Sequence, residues 1–253
     1  MSFVRSTPKI TALHPEMALG GFTAYDGTVE FYSRVKALTK PDMRVVDFGA
    51  GRGAWYEDED SQFRRDMRLL KGAVREVIGI DVDPAVLENQ AIDVGHVLEA
   101  GCQLPLEDAS VDLIVSDYVF EHIENPIWLA AEFDRIVKPG GWICARTPTK
   151  YNYVSVAARL VTNIKHASVL RIAQPGRKAE DVFPTAYRLN SKTDVAKAFP
   201  PERFTDRTYI YCFEPQYHFG SVFVYRFFQF VHWLLPARLH GNLYIFLQKN
   251  GDS

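Results

Sequence analysis

Cysteine is scarce in this chain. There are three, Cys102, Cys144 and Cys212, and no C-x-x-C pair. That count excludes a disulfide framework and gives no zinc site. It fits a reducing, cytoplasmic compartment. No uninterrupted apolar run approaches the ~20 residues of a bilayer span. The opening MSFVRSTPKITALHPEM lacks the continuous apolar stretch of a secretory signal, so none is expected. Positive charge is not in excess either. The formal net charge is −2, so no electrostatic footprint for nucleic acid is visible and no such partner is expected. No His/Asp/Glu cluster has ligand spacing, and no metal is expected.

What is present is an ordinary globular balance, with 47% hydrophobic and 24% charged residues in 253. That is enough apolar material for a buried core without staples. Strand patterns fall at 44–48, 76–80, 95–99, 111–116 and 142–146. Helical patterns fall at 27–39, from Ala54, from Pro84 and at 125–137. Lys138-Pro139-Gly140-Gly141 reads as the stop of the last of these helices. Strand and helix in alternation predict a parallel sheet with helices on both faces and right-handed crossovers. After Thr147 the pattern loosens. Residues 153–173 read as helix, 174–190 as a polar loop, and 191–199 as a short helix capped by Ser191. Two final strands are expected at 207–213 and 243–248, with an aromatic helix at 219–235 between them.

Three segments carry chemistry. The first is VVDFGAGRG, residues 45–53. Glycines at alternate positions let the backbone turn sharply and approach a ligand. The spacing G-x-G-x-G differs from the G-x-G-x-x-G that places a pyrophosphate on a helix N-terminus. A dinucleotide oxidoreductase is therefore disfavoured. Asp47, two residues before the first glycine, suits a bound ammonium group. The second segment is IGIDVDP, residues 78–84. Asp81 at a strand tip suits two hydrogen bonds from a ribose diol. Asp83, directly before Pro84, suits a helix cap. The third is LPLEDASVDLIVSDYVFEHIENP, residues 104–126, followed by LAAEFDRIVKPGGWI at 129–143.

Taken in this order, the segments resemble the class I, Rossmann-like methyltransferases that use S-adenosyl-L-methionine. That group includes quinone-biosynthesis and small-molecule or sugar methyltransferases. The resemblance covers residues 43–147. It implies an α/β, three-layer sandwich with a seven-stranded, mostly parallel sheet and one antiparallel strand. It also implies the cofactor S-adenosyl-L-methionine, with Asp47, Gly49, Ala50 and Gly51 at its methionine part. Asp81 would meet the ribose and Val82 the adenine. Asp117, Tyr118 and His122 would line the transfer centre. The Asp usual four residues before the Leu-Pro pair is Ala100 here. Glu99, or the backbone of Gly101 and Cys102, is expected to meet the adenine instead. The stretch between Asp47 and Asp81 is longer than the family's usual gap. The extra material, 57–72, carries EDED and RRDMR and reads as a solvated helical extension.

One domain is expected. It comprises a lead-in and helix (1–42), the cofactor core (43–147), a substrate-side helical insertion (148–206), and C-terminal strands and helix (207–253). Catalysis would rest largely on positioning. His122 is the candidate general base, because histidine titrates near neutral pH; Glu121 is a weaker candidate. Acceptor choice is expected near Phe22 to Asp26, in the tail and in the insertion, with Tyr151, Asn152, Tyr153, Arg177, Lys178 and Tyr187. The leading reading is methylation of a small-molecule or glycan acceptor at oxygen. The alternatives are a quinone or lipid-like acceptor, or a non-catalytic interaction protein of this fold. The helix FGSVFVYRFFQFVHWLLP has one narrow polar stripe, Arg226, Gln229 and His232. It reads as buried on the last strands or across a dimer interface, and not as a membrane contact.

Overall fold

The computed structural model of the chain describes residues 12–99, 101–152, 185–215 and 221–251. Its strands are β1 (Arg44–Phe48), β2 (Glu76–Asp81), β3 (Val94–Val97), β4 (Val111–Asp117), β5 (Val137–Pro148), β6 (Phe204–Asp206), β7 (Tyr209–Tyr211) and β8 (Asn242–Lys249). They form one sheet in the order β3-β2-β1-β4-β5-β8-β6, with β7 also on β8. The first five are parallel, and β8 runs antiparallel to β5. β6 and β7 share one register on β8, with Phe204 opposite Lys249 and Tyr209 opposite Tyr244. They are one edge strand interrupted at Arg207 and Thr208. Among the described residues the sheet is by register seven-stranded with β8 alone reversed, as the Rossmann-like α/β class requires.

Period-two alternation sorts the strand residues onto two covered faces. Val46, Phe48, Ile78, Ile80 and Ile114 join Leu129, Phe133 and Ile136 of one helix. Val45, Val77, Leu113 and Val115 join Phe31, Tyr32 and Val35 of another, together with Leu70. The second of these is α1 (Gly27–Leu38), capped by the Asp26 carboxylate on the Thr28 and Val29 amides. Two short helices follow β1, α2 (Ala54–Asp58) and α3 (Gln62–Arg68). The first face is covered by α4 (Pro126–Ile136), capped by Asn125. Then come α5 (Lys192–Ala198), with Ser191 as its cap, and α6 (Val222–Leu234).

Three expectations need correction. The helix from Pro84 is only a 3-10 turn, Pro84–Glu88. It ends so that Asn89 can brace the glycine loop, donating to the Ala50 and Gly51 carbonyls at 3.1 Å. Lys138 to Gly141 follow the end of α4 at Ile136, as expected, and form a bulge inside β5. Val137 pairs with Val111, and Trp142 with Leu113. The 57–72 extension is not simply solvated, because α3 sends Arg68 inward to 9% exposure. And α6 is not buried: among its residues Tyr225 alone is. The helix expected at 153–173 and most of the 174–190 loop lie outside the described residues.

Candidate active site

The site lies at the carboxyl ends of β1, β2 and β4, where parallel strands open into loops. Gly49 turns the chain off β1 with φ +80°. A Cβ there would sit 2.1 Å from Val119 Cγ2, so no larger residue fits. Gly53 starts α2 with φ +71°, and a Cβ would meet the Asn89 side chain at 2.2 Å. Above Gly51 the space is open; the nearest atom to a Cβ would be Asp81 Oδ2 at 3.9 Å. The Gly51 amide donates to that oxygen at 2.8 Å, and the Asp83 amide donates to Oδ1 at 2.9 Å. Asp81 is thereby fixed beside the glycine loop. Asp83 caps its turn through the Ala85 amide, as expected.

Asp47 is partly buried and faces a small cavity. Tyr32, Trp55, Arg68, Leu70, Val77, Ala91 and Val115 line the rest of it. Burial, and then the Asp117 carboxylate, push its pKa up to about 7, against the pull of Arg68. Arg68 lies over the Trp55 ring at 4.4 Å, and its Nε is buried without a partner. An acid and a guanidinium thus share one cavity.

Asp117 ends β4 directly opposite Arg146 of β5. Arg146 binds it with two nitrogens, Nε to Oδ1 and Nη2 to Oδ2, the latter at 2.8 Å. Arg68 Nη2 adds a contact at 3.1 Å and the Tyr32 hydroxyl one at 3.2 Å. Four donors use the lone-pair sites of a carboxylate. Burial opposes its charge, but Arg146 and then Arg68 outweigh it and hold Asp117 well below the usual carboxylate range. The side chain is therefore committed internally, which argues against the cofactor contact expected of it. Arg146 is 1% exposed, with the Phe31 and Tyr118 ring centroids 5.3 and 5.0 Å from its guanidinium carbon.

Tyr118 follows with φ +58°, a conformation that costs a bulky residue energy and marks a constrained site. Its hydroxyl accepts from Asn242 Nδ2 at 2.5 Å. His122 is half-buried in the 3-10 turn Phe120–His122. Glu121 turns inward instead. Its carboxylate accepts from the Thr147 hydroxyl at 2.7 Å, and burial raises its pKa. Its carbonyl receives the Ala186 and Tyr187 amides. Val82 is 57% exposed beside Asp81, and Cys102 is exposed. Gly101 has φ +80° with open space around it.

Of the acceptor-side residues, Tyr151 is exposed and Asn152 is buried, donating to the Gly241 carbonyl. Tyr187 is buried with φ +51°. Tyr153, Arg177 and Lys178 lie outside the described residues. Sequence reasoning missed Tyr32, Arg68, Asn89 and Arg146. Arg146 left one signal, a lone charge in the apolar strand WICART. Among the described residues no group of three or more His, Cys, Asp or Glu could hold a metal ion.

Comparison with known proteins agrees with this layout. Residues 46–145 match the family model described as a methyltransferase domain. A probable S-adenosylmethionine-dependent methyltransferase of Mycolicibacterium smegmatis is 33% identical over 90 residues. That covers 34% of this chain and 34% of the relative. The chain therefore matches about a third of that relative's length. A SAM-dependent methyltransferase of Methanosarcina mazei superposes with a TM-score of 0.55 at 16% identity, over 87% of this chain and 98% of that one. A geranyl diphosphate C-methyltransferase of Streptomyces coelicolor gives 0.51 at 15% identity, over 88% and 76%. The glycine loop, the acids at the ends of β1 and β2 and the reversed strand belong together: residues 46–145 match a methyltransferase domain, and the fold is the Rossmann-like one of class I methyltransferases.

Proposed function

We propose that the chain transfers a methyl group from S-adenosyl-L-methionine to a small-molecule or glycan acceptor at oxygen. The observation that carries this reading is the convergence of Asp47, the Gly49–Gly51 loop and Asp81, the last two joined by the Gly51–Asp81 bond. The fit to the cofactor is chemical. Asp47 and Arg68 in one cavity present a carboxyl group beside a cation, the complement of an α-amino acid end. Asp81 would take the ribose, Val82 and the Gly101–Cys102 backbone the adenine. Bound there, the cofactor would supply a methyl group on a good leaving group.

The chain's own task is then to orient an acceptor oxygen and take its proton. Asp117 is saturated and Glu121 is turned inward. His122, half-buried after β4, is the remaining candidate for the base. Tyr118, held by its left-handed backbone and by Asn242, would shape the wall beside it. One observation favours a second reading, a lipid-like acceptor: a face of exposed aromatic rings on α6.

Calorimetric titration with S-adenosylhomocysteine and S-adenosylmethionine tests the proposal. Binding in the micromolar range should be lost in Asp81→Ala. No binding to the folded wild-type chain would overturn the enzyme reading. With binding secured, sugars and phenols screened against long-chain isoprenoids would separate the two acceptor classes.

A further inference from the structure

Helix α6 turns Tyr225 and His232 towards the protein and a stripe of rings towards solvent. On the inner side the Tyr225 hydroxyl bonds His14 Nε2 at 2.5 Å. His232 stacks on His240, with centroids 4.4 Å apart. On the outer side Phe223, Phe227, Phe230, Trp233 and Leu234 are all more than half exposed, Phe223 at 82% and Trp233 at 78%. At 3.6 residues per turn these five cover a stripe of roughly 120°. A surface helix of a globular protein has the opposite arrangement. A contiguous apolar patch of this kind marks an interaction site.

We propose that this face seats the protein on an anionic bilayer surface, with α6 lying in the plane of the interface. The charges select that occupant. By helical angle Arg226 falls inside the stripe, between Trp233 and Phe230, and it is exposed. Arg238, just beyond the helix, is exposed too. No Asp or Glu occurs between Glu214 and Asp252. Pairing with a second copy would bury two Arg226 guanidiniums against each other, with no carboxylate on the element to neutralise them. In a headgroup layer the same guanidinium meets phosphate, while the rings sink into the acyl boundary.

An isolated surface-seeking helix needs a broad charged face towards water. This one does not, because the protein body already satisfies its polar side through His14 and His240. Nor is spanning at issue. The helix has 13 residues, and no described helix is long and apolar enough to cross a membrane.

The test is co-sedimentation of the full chain with vesicles of phosphatidylcholine, alone or with roughly a third phosphatidylglycerol. The wild type should pellet with the mixed vesicles at low salt and much less with the neutral ones. Phe230→Ser with Trp233→Ser should lower partitioning by roughly tenfold or more, since two rings lose their burial. Circular dichroism should show that this double variant stays folded, and Arg226→Gln should weaken binding to the mixed vesicles selectively. Equal pelleting with both vesicle types would overturn the anionic assignment. Absence of pelleting by folded wild type would overturn the proposal. A dimer in light scattering that the double variant splits, without vesicle binding, would assign the face to a second copy and overturn it as well.

Discussion

At the carboxyl ends of β4 and β5 the chain buries charge; along α6 it exposes aromatic rings. Both depart from the usual partition of side chains, and the two departures are balanced differently. Around Asp117 the carboxylate itself is fully paired within the fold. Arg146, Arg68 and Tyr32 supply the donors, and Phe31 and Tyr118 supply ring faces. A buried ion needs such complete pairing, or desolvation dominates. Along α6 the described residues supply no cover for Phe223 or Trp233. The first region should therefore report in stability, and the second in association.

The largest expected effect follows from removing one member of the ion cluster. Arg146→Leu leaves Asp117 buried with only Arg68 and Tyr32. Urea unfolding should show a loss of about 3–5 kcal/mol. Replacing both partners, Asp117→Leu with Arg146→Met, should recover only part of that loss, because buried Arg68 then loses its carboxylate. A loss below about 1 kcal/mol in the single variant would mean that the cluster is not what holds the strand ends together.

Next comes the turn off β1. Gly49→Ala places a Cβ 2.1 Å from Val119 Cγ2 at φ +80°. The left-handed backbone alone costs about 1–2 kcal/mol, and the clash adds to it. Thermal unfolding should fall, and S-adenosylhomocysteine binding should be lost in calorimetry. Adding Val119→Ala should relieve the clash and leave the backbone strain, so recovery should be partial. Full recovery would show that the left-handed turn carries little of the cost.

A smaller effect separates by pH. Asp47 titrates at about 7 in the folded chain and near its ordinary 3.8 when unfolded. The folded state thus holds the proton more tightly. That contribution is fully present below about 3.8 and is lost as pH rises through about 7. Asp47→Asn, neutral throughout, should melt higher than wild type at pH 8 and without that advantage at pH 4. A difference independent of pH would show that Asp47 does not carry this linkage.

These effects also divide what could be read from the sequence. β1 was legible to the residue, because a short apolar run ending in Asp47 and glycines has few other readings. Ser191 caps its helix through a local bond, as expected, and local bonds leave local signals; Asp26 and Asn125 cap helices too, but were not read as caps. The long-range partners left almost none. Nothing in RRDMR tells which arginine turns inward. Arg68 does so because α3 folds back towards β4, 49 residues on in sequence. Asn89 is in the same position: only the folded loop shows that its amide supports Ala50 and Gly51. In α6 the sequence pattern showed two faces, but periodicity does not say which face meets the protein.

The smallest expected effect tests the comparison most directly. Phe133 and Phe223 are the same side chain in opposite settings. Phe133 is fully buried, edge-on to Phe48 with ring centroids 5.1 Å apart and near Phe120 and Phe199. Truncating it to Ala should cost about 3–5 kcal/mol, through lost transfer energy and the cavity left behind. Phe223 is 82% exposed, so truncation removes little burial. Phe223→Ser should change unfolding free energy by no more than about 0.5 kcal/mol, the range of ordinary surface changes. Since the ring contributes nothing to the isolated fold, its effect should appear instead as weaker partitioning onto anionic vesicles. If Phe223→Ser destabilised the chain in solution as Phe133→Ala does, the ring would be buried within the fold, and the contrast between the two regions would fail.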